Sequence, residues 1–184
     1  MKKLKIKSIE NKKVLLEPFS HNFISKEYLS WMNDKETTKF IHKAKKDISL
    51  DDLYSFANKM IHSHEDYFFA ILFKKNFQHI GNVRLGPIDF NLMKSGFGIL
   101  IGDKNFHQLG IGTEVMELIK DFSFNYLQLN KLCFPAVKSH LSATNLYSKT
   151  GFKCDGELEK TFDKNGKSWK LVEWTMKNPR LANT

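Results

Sequence analysis

Residues 97–127, FGILIGDKNFHQLGIGTEVMELIKDFSFNYL, decide the fold. The apolar run from Phe97 to Ile101 ends at Gly102 and passes through a polar loop containing Gly110 and Gly112. Beyond it, Val115, Leu118, Ile119, Phe122 and Tyr126 recur at helical spacing. The pattern is a strand, a glycine-containing loop and a helix. Such a loop gathers backbone N–H groups and the positive end of a helix dipole, which together hold phosphate. Glycine suits the position because a Cβ would keep the backbone away from the anion. Two phosphate-binding fingerprints fail here: Gly112 is followed by Thr113-Glu114 rather than Lys-Ser/Thr, and Val115 stands where a dinucleotide-binding loop has its third glycine.

Working outward, YFFAILF (67–73), a Lys-Lys-Asn turn and FQHIGNVRLG (77–86) read as an antiparallel hairpin, with 97–102 as a further strand after Pro87. SLDDLYSFANKMIHSH opens with a capping-box pair, Ser49 and Asp52. Its Leu53, Phe56, Ala57, Met60 and Ile61 share one face of a helix. Residues 25–33 predict a short helix capped by Ser25, and NDKETTK after it reads as loop. The runs 4–8 and 12–17 read as a strand pair or broken strand at the N-terminus. Downstream, KLCFPAV (131–137) is extended, although Pro135 has no N–H for a ladder. A short helix at 141–149, the run GFKCDG and a strand at 168–176 behind a Lys-Asn-Gly turn complete a single domain, 1–184. The expectation is an α+β domain with a mixed, mostly antiparallel sheet of about seven strands and four flanking helices.

Composition narrows the function. The first thirteen residues carry six lysines but no apolar stretch long enough for a signal peptide, and no run approaches a membrane span. The expectation is a soluble, cytoplasmic protein. Cys133 and Cys154 form neither a CxxC pair nor a disulfide framework, so both are expected as buried, inert thiols and no metal site is expected. The net charge of +9 comes almost wholly from lysine, Arg84 and Arg180 being the two arginines. Nucleic-acid readers favour the arginine fork, so that charge reads as a solvated basic surface that attracts anions and repels polycations.

Residues 79–156 resemble the GNAT superfamily of acyl-CoA N-acyltransferases. The resemblance rests on HIGNVRLGPID (79–89), FGILIGD (97–103), HQLGIGTE (107–114) and LYSKTGFKCDGEL (146–158), in that order and spacing. It is nearest the branch that includes ribosomal-protein N-terminal acetyltransferases and enzymes acting on nucleotide-linked amino sugars. The resemblance implies acetyl-CoA as cosubstrate and transfer of its acetyl group to an amine by direct attack in a ternary complex. It also implies a sheet splayed between the fourth and fifth strands, 97–102 and 131–137, where Pro135 loses nothing by lacking a donor.

By the same resemblance, Leu109, Gly110, Ile111, Gly112 and Thr113 would wrap the coenzyme pyrophosphate, with His107, which stands where many members have arginine, glutamine or tryptophan, and Gln108 as further coenzyme contacts. Leu100, Ile101 and Gly102 would pair with the pantetheine arm as a strand. The amide of Ile101 or of a neighbour would steady the oxyanion, and Tyr147 would protonate the departing thiolate. His140 occupies the place of an asparagine that contacts the coenzyme, Ala143 that of a serine, and Gly96 that of a glutamate base. His79, Asp89 and Glu114 are left as candidate bases, the alternative being loss of the amine proton through water, since direct attack needs only a neutral amine. The expected acceptor is a nucleotide-linked amino sugar, with a protein N-terminus second and a polyamine third because +9 repels polycations. Dimers are common among similar enzymes. A non-catalytic coenzyme-binding module is disfavoured by Tyr147 and the two loop glycines.

Overall fold

The structure, a computed structural model, describes residues 6–41, 47–164 and 167–183. Eight strands form one sheet: β1 (Ile9–Glu10), β2 (Val14–Pro18), β3 (Tyr67–Phe73), β4 (Gln78–Asp89), β5 (Lys94–Ile101), β6 (Lys131–Val137), β7 (Lys153–Lys164) and β8 (Lys167–Lys177). Their spatial order is β1-β2-β3-β4-β5-β6-β8-β7. Every pairing is antiparallel except that of β5 with β6, which is parallel and limited to Lys94 opposite Lys131 and Ser95 opposite Leu132. From Gly96 onward the two strands part. This is the splay that the resemblance implies, and it divides the sheet into a five-strand and a three-strand half.

The helices are α1 (Lys26–Asn33), α2 (Lys35–Thr38), α3 (Leu50–His62), α4 (Ile111–Asp121) and α5 (Leu141–Lys149). One face of the sheet buries Val14, Leu16, Phe69, Ile80 and Val83 with Val115 and Ile119 of α4 and Tyr147 of α5. The other face buries Phe68, Ala70 and Leu72 with Tyr28 and Trp31 of α1 and Leu53, Ala57 and Met60 of α3. Strand β3 serves both cores, which is why YFFAILF is apolar at every position rather than alternating. Local signals hold as expected: Ser25 accepts from the Tyr28 amide, and Ser49 and Asp52 close a capping box on α3.

Several elements differ from the sequence expectation. Residues 6–8 carry no strand pairing and β1 begins at Ile9, while Leu4 and Lys5 lie outside the described residues. NDKETTK is not all loop: Asp34 accepts from the Thr37 amide and caps the single turn α2, too short to show a helical period. Pro87 does not end β4, because the strand continues to Asp89 across a bulge between Leu85 and Ile88. After Asp121 the helix widens into a π turn, Phe122–Tyr126, closed by the Leu127 amide on the Phe122 carbonyl at 2.9 Å. That turn rotates Tyr126 out of the buried stripe to 49% exposure. Phe56 is likewise 40% exposed, resting edge-on against Phe68. Cys133 is half-buried but Cys154 is exposed. Within the Lys-Asn-Gly turn, Asn165 and Gly166 lie outside the described residues.

Candidate active site

Where β5 and β6 diverge, a cavity of about 680 Å³ opens between them. Its walls come from three places: β5 from Phe97 to Ile101, Phe134–Val137 of β6 continuing into α5, and the α2 segment with Phe40 and Ile41. Lys104 and His107 of the loop after β5 and Gly112 of α4 close one end.

The backbone of β5 faces two ways. The Gly102 amide donates to the Ile80 carbonyl on the β4 side at 2.9 Å, and the Leu100 carbonyl lies against Gly81 on that same side. Strand alternation therefore turns the N–H groups of Ile99 and Ile101 toward the cavity, with no strand opposite them. On β6 the Lys138 amide donates to Lys170 of β8. The same alternation leaves position 135 facing the cavity, so Pro135 costs the sheet no ladder bond.

The predicted site residues separate accordingly. Leu100, Ile101, His107, Gly112, His140 and Tyr147 line the cavity. The Gly102 amide is spent on β4, and Trp31 covers its Cα so closely that a Cβ there would overlap the indole. Gln108, with φ of +61°, and Gly110, with φ of +78°, form the bend before α4. Leu109 beside them is 52% exposed, and its carbonyl accepts from the Lys13 ammonium at 3.1 Å. Ile111 is buried in the core and does not line the cavity; neither does Thr113, in the first turn of α4. Gly110 caps α4 without a side-chain bond, and the first amide bonded back into the helix is Glu114, to Gly110 at 3.2 Å. The preceding amides point beyond the helix end, as phosphate binding requires. Ile99 was not singled out from sequence, although alternation from Gly102 marks it.

Tyr147 is 9% exposed and ringed by Phe134, Trp174, Phe97 and Phe152, with centroids 4.9, 5.6, 6.1 and 6.4 Å away. Burial pushes its hydroxyl up to about 12. No group among the described residues accepts from that hydroxyl. The Tyr147 hydroxyl is therefore held neutral at the cavity wall.

Of the candidate bases, none lines the cavity. His79 is packed among Phe23, Tyr28 and Trp31 and donates from Nε2 to the Gly81 carbonyl and to Asn82. Asp89 accepts the amides of Asn91 and Leu92 in a turn, and Glu114 sits in the first turn of α4. Gly96 stands where the strands part, and a Cβ there would lie 3.2 Å from the Cys133 carbonyl. Charges in the wall occur in pairs: Lys39 with Glu36 at 3.7 Å, and Lys104 with Asp34 at 2.9 Å. The Lys104 ammonium, with the Thr37 amide, holds the Asp34 carboxyl far below the usual carboxylate range. His107 donates from Nε2 to the Ile101 carbonyl at 2.9 Å. The imidazole of His140 stacks on Phe40, centroids 4.1 Å apart and 20° from parallel, and burial lowers its pKa.

A mixed sheet splayed at one strand junction, an unpaired strand edge inside the splay, a glycine bend at a helix N-terminus and a tyrosine at the wall together frame this cleft. Residues 13–153 match the family model described as "Acetyltransferase (GNAT) domain", and the chain belongs to that family. Over 119 residues, 65% of this chain, it is 30% identical to the spermidine N(1)-acetyltransferase of Escherichia coli K12, and the match spans 61% of that relative's length. The spermidine N(1)-acetyltransferase of Vibrio cholerae is 31% identical over 121 residues, 65% of this chain and 68% of the relative. The fold superposes on a Vibrio cholerae spermidine N-acetyltransferase solved with CoA and spermine. That match has a TM-score of 0.82 at 21% identity, covering 94% of this chain and 100% of that one.

Proposed function

We propose that this protein transfers the acetyl group of acetyl-CoA to a primary amine of a small molecule. The observation that carries the reading is the open edge of β5: Ile99 and Ile101, whose amides strand alternation turns away from β4, line one cavity with Tyr147. An extended amide-bearing arm laid along that edge completes a β ladder, which puts its thioester beside the Ile101 amide and its sulfur toward Tyr147. The amine attacks the acetyl carbonyl directly, the amide holds the oxygen that gains charge, and Tyr147 gives its proton to the departing thiolate. A tyrosine held near 12 is a full donor at neutral pH.

The acceptor we favour is a polyamine. The relatives named above support it over the nucleotide-linked amino sugar that the phrase HIGNVRLGPID suggests. The charge argument against polycations weakens once the cavity is considered locally. Lys39 and Lys104 each have a carboxylate partner, and the remaining lysines act through solvent that screens over ~8 Å.

Thermal unfolding with acetyl-CoA, followed by thiol release on spermidine, a nucleotide-linked amino sugar and a short peptide, tests the reading. Stabilisation by acetyl-CoA with turnover on spermidine is expected. Absence of any shift at saturating acetyl-CoA would overturn the acetyltransferase reading, and turnover confined to another arm would replace the acceptor alone.

A further inference from the structure

Resting on the acetyltransferase reading of this cavity, we propose that His140 accepts the proton that the acceptor amine sheds as its nitrogen bonds to the acetyl carbonyl. The imidazole thereby fills the role of the carboxylate that Gly96 leaves out.

His140 lines the cavity at the N-terminal end of α5, and Tyr147 lines it two turns further along the same helix. The two Cα atoms are ~10 Å apart along the axis, and a helical side chain leans toward the N-terminus, which carries the tyrosine ring back toward His140. An acid for the sulfur and a base for the nitrogen thus line one wall of the same cavity. The backbone is fixed on both sides: the His140 amide donates to the Val137 carbonyl at 3.0 Å, and its own carbonyl accepts from Ala143 and Thr144. The ring is held flat on Phe40 of the opposite wall, and Trp169 meets Phe40 edge-on at 5.3 Å. Orientation therefore comes from stacking. No described residue hydrogen-bonds either ring nitrogen, so a lone pair is available to a substrate.

Among the described residues, every other titratable group lining this space is engaged. From α2, Glu36 pairs with Lys39 and its side chain is 76% exposed. From the loop after β5, Lys104 pairs with Asp34 and His107 donates to Ile101. Beyond β6, Lys138 pairs with Glu157. Tyr147 is protonated. Burial against Phe40 keeps His140 neutral into mildly acidic solution, the form a base needs.

The step balances. The amine lone pair forms the N–C bond, its proton passes to the imidazole, the C–S bond breaks with its electrons on sulfur, and Tyr147 protonates that sulfur. Solvent then carries the proton from imidazolium back to tyrosinate.

Steady-state kinetics of the full chain on acetyl-CoA and spermidine, with His140→Asn and His140→Ala, test this. Wild-type turnover is read first: its absence on every amine overturns the acetyltransferase reading itself, before any variant is made. With turnover in hand, kcat is expected to fall ~10²-fold or more in both variants while the KM for acetyl-CoA hardly moves. The fall of wild-type kcat in acid, with a midpoint below the ordinary imidazole value of 6.5, is expected to vanish in His140→Asn. An unchanged kcat with a raised KM for acetyl-CoA would make His140 a coenzyme contact only, and a surviving acid limb would equally overturn the proposal. Stabilisation by acetyl-CoA shows that the variants fold. Should neither fold, the wild-type profile decides, and a kcat with no acid limb at any pH where the protein stays folded overturns it.

Discussion

The two edges of β5 have the same residues and opposite fates. Toward β4 the strand is paired from Lys94 to Ile101 and continues through the Gly102 amide to Ile80. Toward β6 it is paired at Lys94 and Ser95 and then stands open. A closed edge is structure and an open one is unspent hydrogen-bonding capacity, which in a folded protein calls for a partner. Because alternation assigns each amide to one edge, neighbouring residues on this strand should answer mutation in different ways.

The largest effect is expected on the open side. Tyr147→Phe removes a hydroxyl with no hydrogen-bond partner among the described residues, so kcat should fall ~10²–10⁴-fold while the melting temperature hardly changes. A parallel loss of stability would show instead that the hydroxyl belongs to the core.

Proline then separates the two edges. Leu100→Pro removes a ladder donor and strands the facing carbonyl, a cost of ~1–3 kcal/mol beyond the lost bond, readable as a drop in denaturant midpoint. Ile99→Pro removes a donor that points into the cavity. It should fold, yet lose most of the ~2.7 kcal/mol that acetyl-CoA at 100 times its Kd confers on the native protein. Equal behaviour of the two variants in both measurements would break the comparison.

Two glycines sharpen it more modestly. A Cβ at Gly102 overlaps the Trp31 indole, whereas one at Gly98 meets nothing within 4 Å. Gly102→Ala should cost ~1–3 kcal/mol by overpacking, and Gly98→Ala should stay within ~0.5 kcal/mol, both by urea unfolding.

The smallest effect lies beneath Trp31. Burial lowers the pKa of His79 from its ordinary 6.5. The unfolded chain then binds the proton more readily, so this contribution to stability is full above pH 6.5 and is lost as pH falls through the lowered value. His79→Gln should flatten the pH dependence of the melting temperature over that window.

Much of this was legible in the sequence because its causes are local. The 97–127 stretch announces strand, bend and helix through glycine placement and apolar period, and Ser49 with Asp52 announces α3. Tyr147, Gly112 and the β5–β6 splay came from the family resemblance, and Pro135 was the one local hint of a missing ladder. What stayed hidden depends on distant contacts. Four residues of α2 carry no period, yet that turn and Phe40 build the wall facing His140. The π turn that ejects Tyr126 leaves no mark in a heptad count. Nor does the sequence show that Trp31, more than seventy positions earlier, leaves no room for a Cβ at Gly102. The bases named from sequence lie off the cavity, because strand-end and turn positions do not reveal which face of a sheet they serve.

Residue-resolved amide hydrogen exchange along β5, with and without acetyl-CoA, tests the central claim most directly. The account predicts slow exchange at Leu100 and Gly102 in both states, and fast exchange at Ile99 and Ile101 that becomes protected when acetyl-CoA binds. Ile99 and Ile101 amides left unprotected by saturating acetyl-CoA would contradict it.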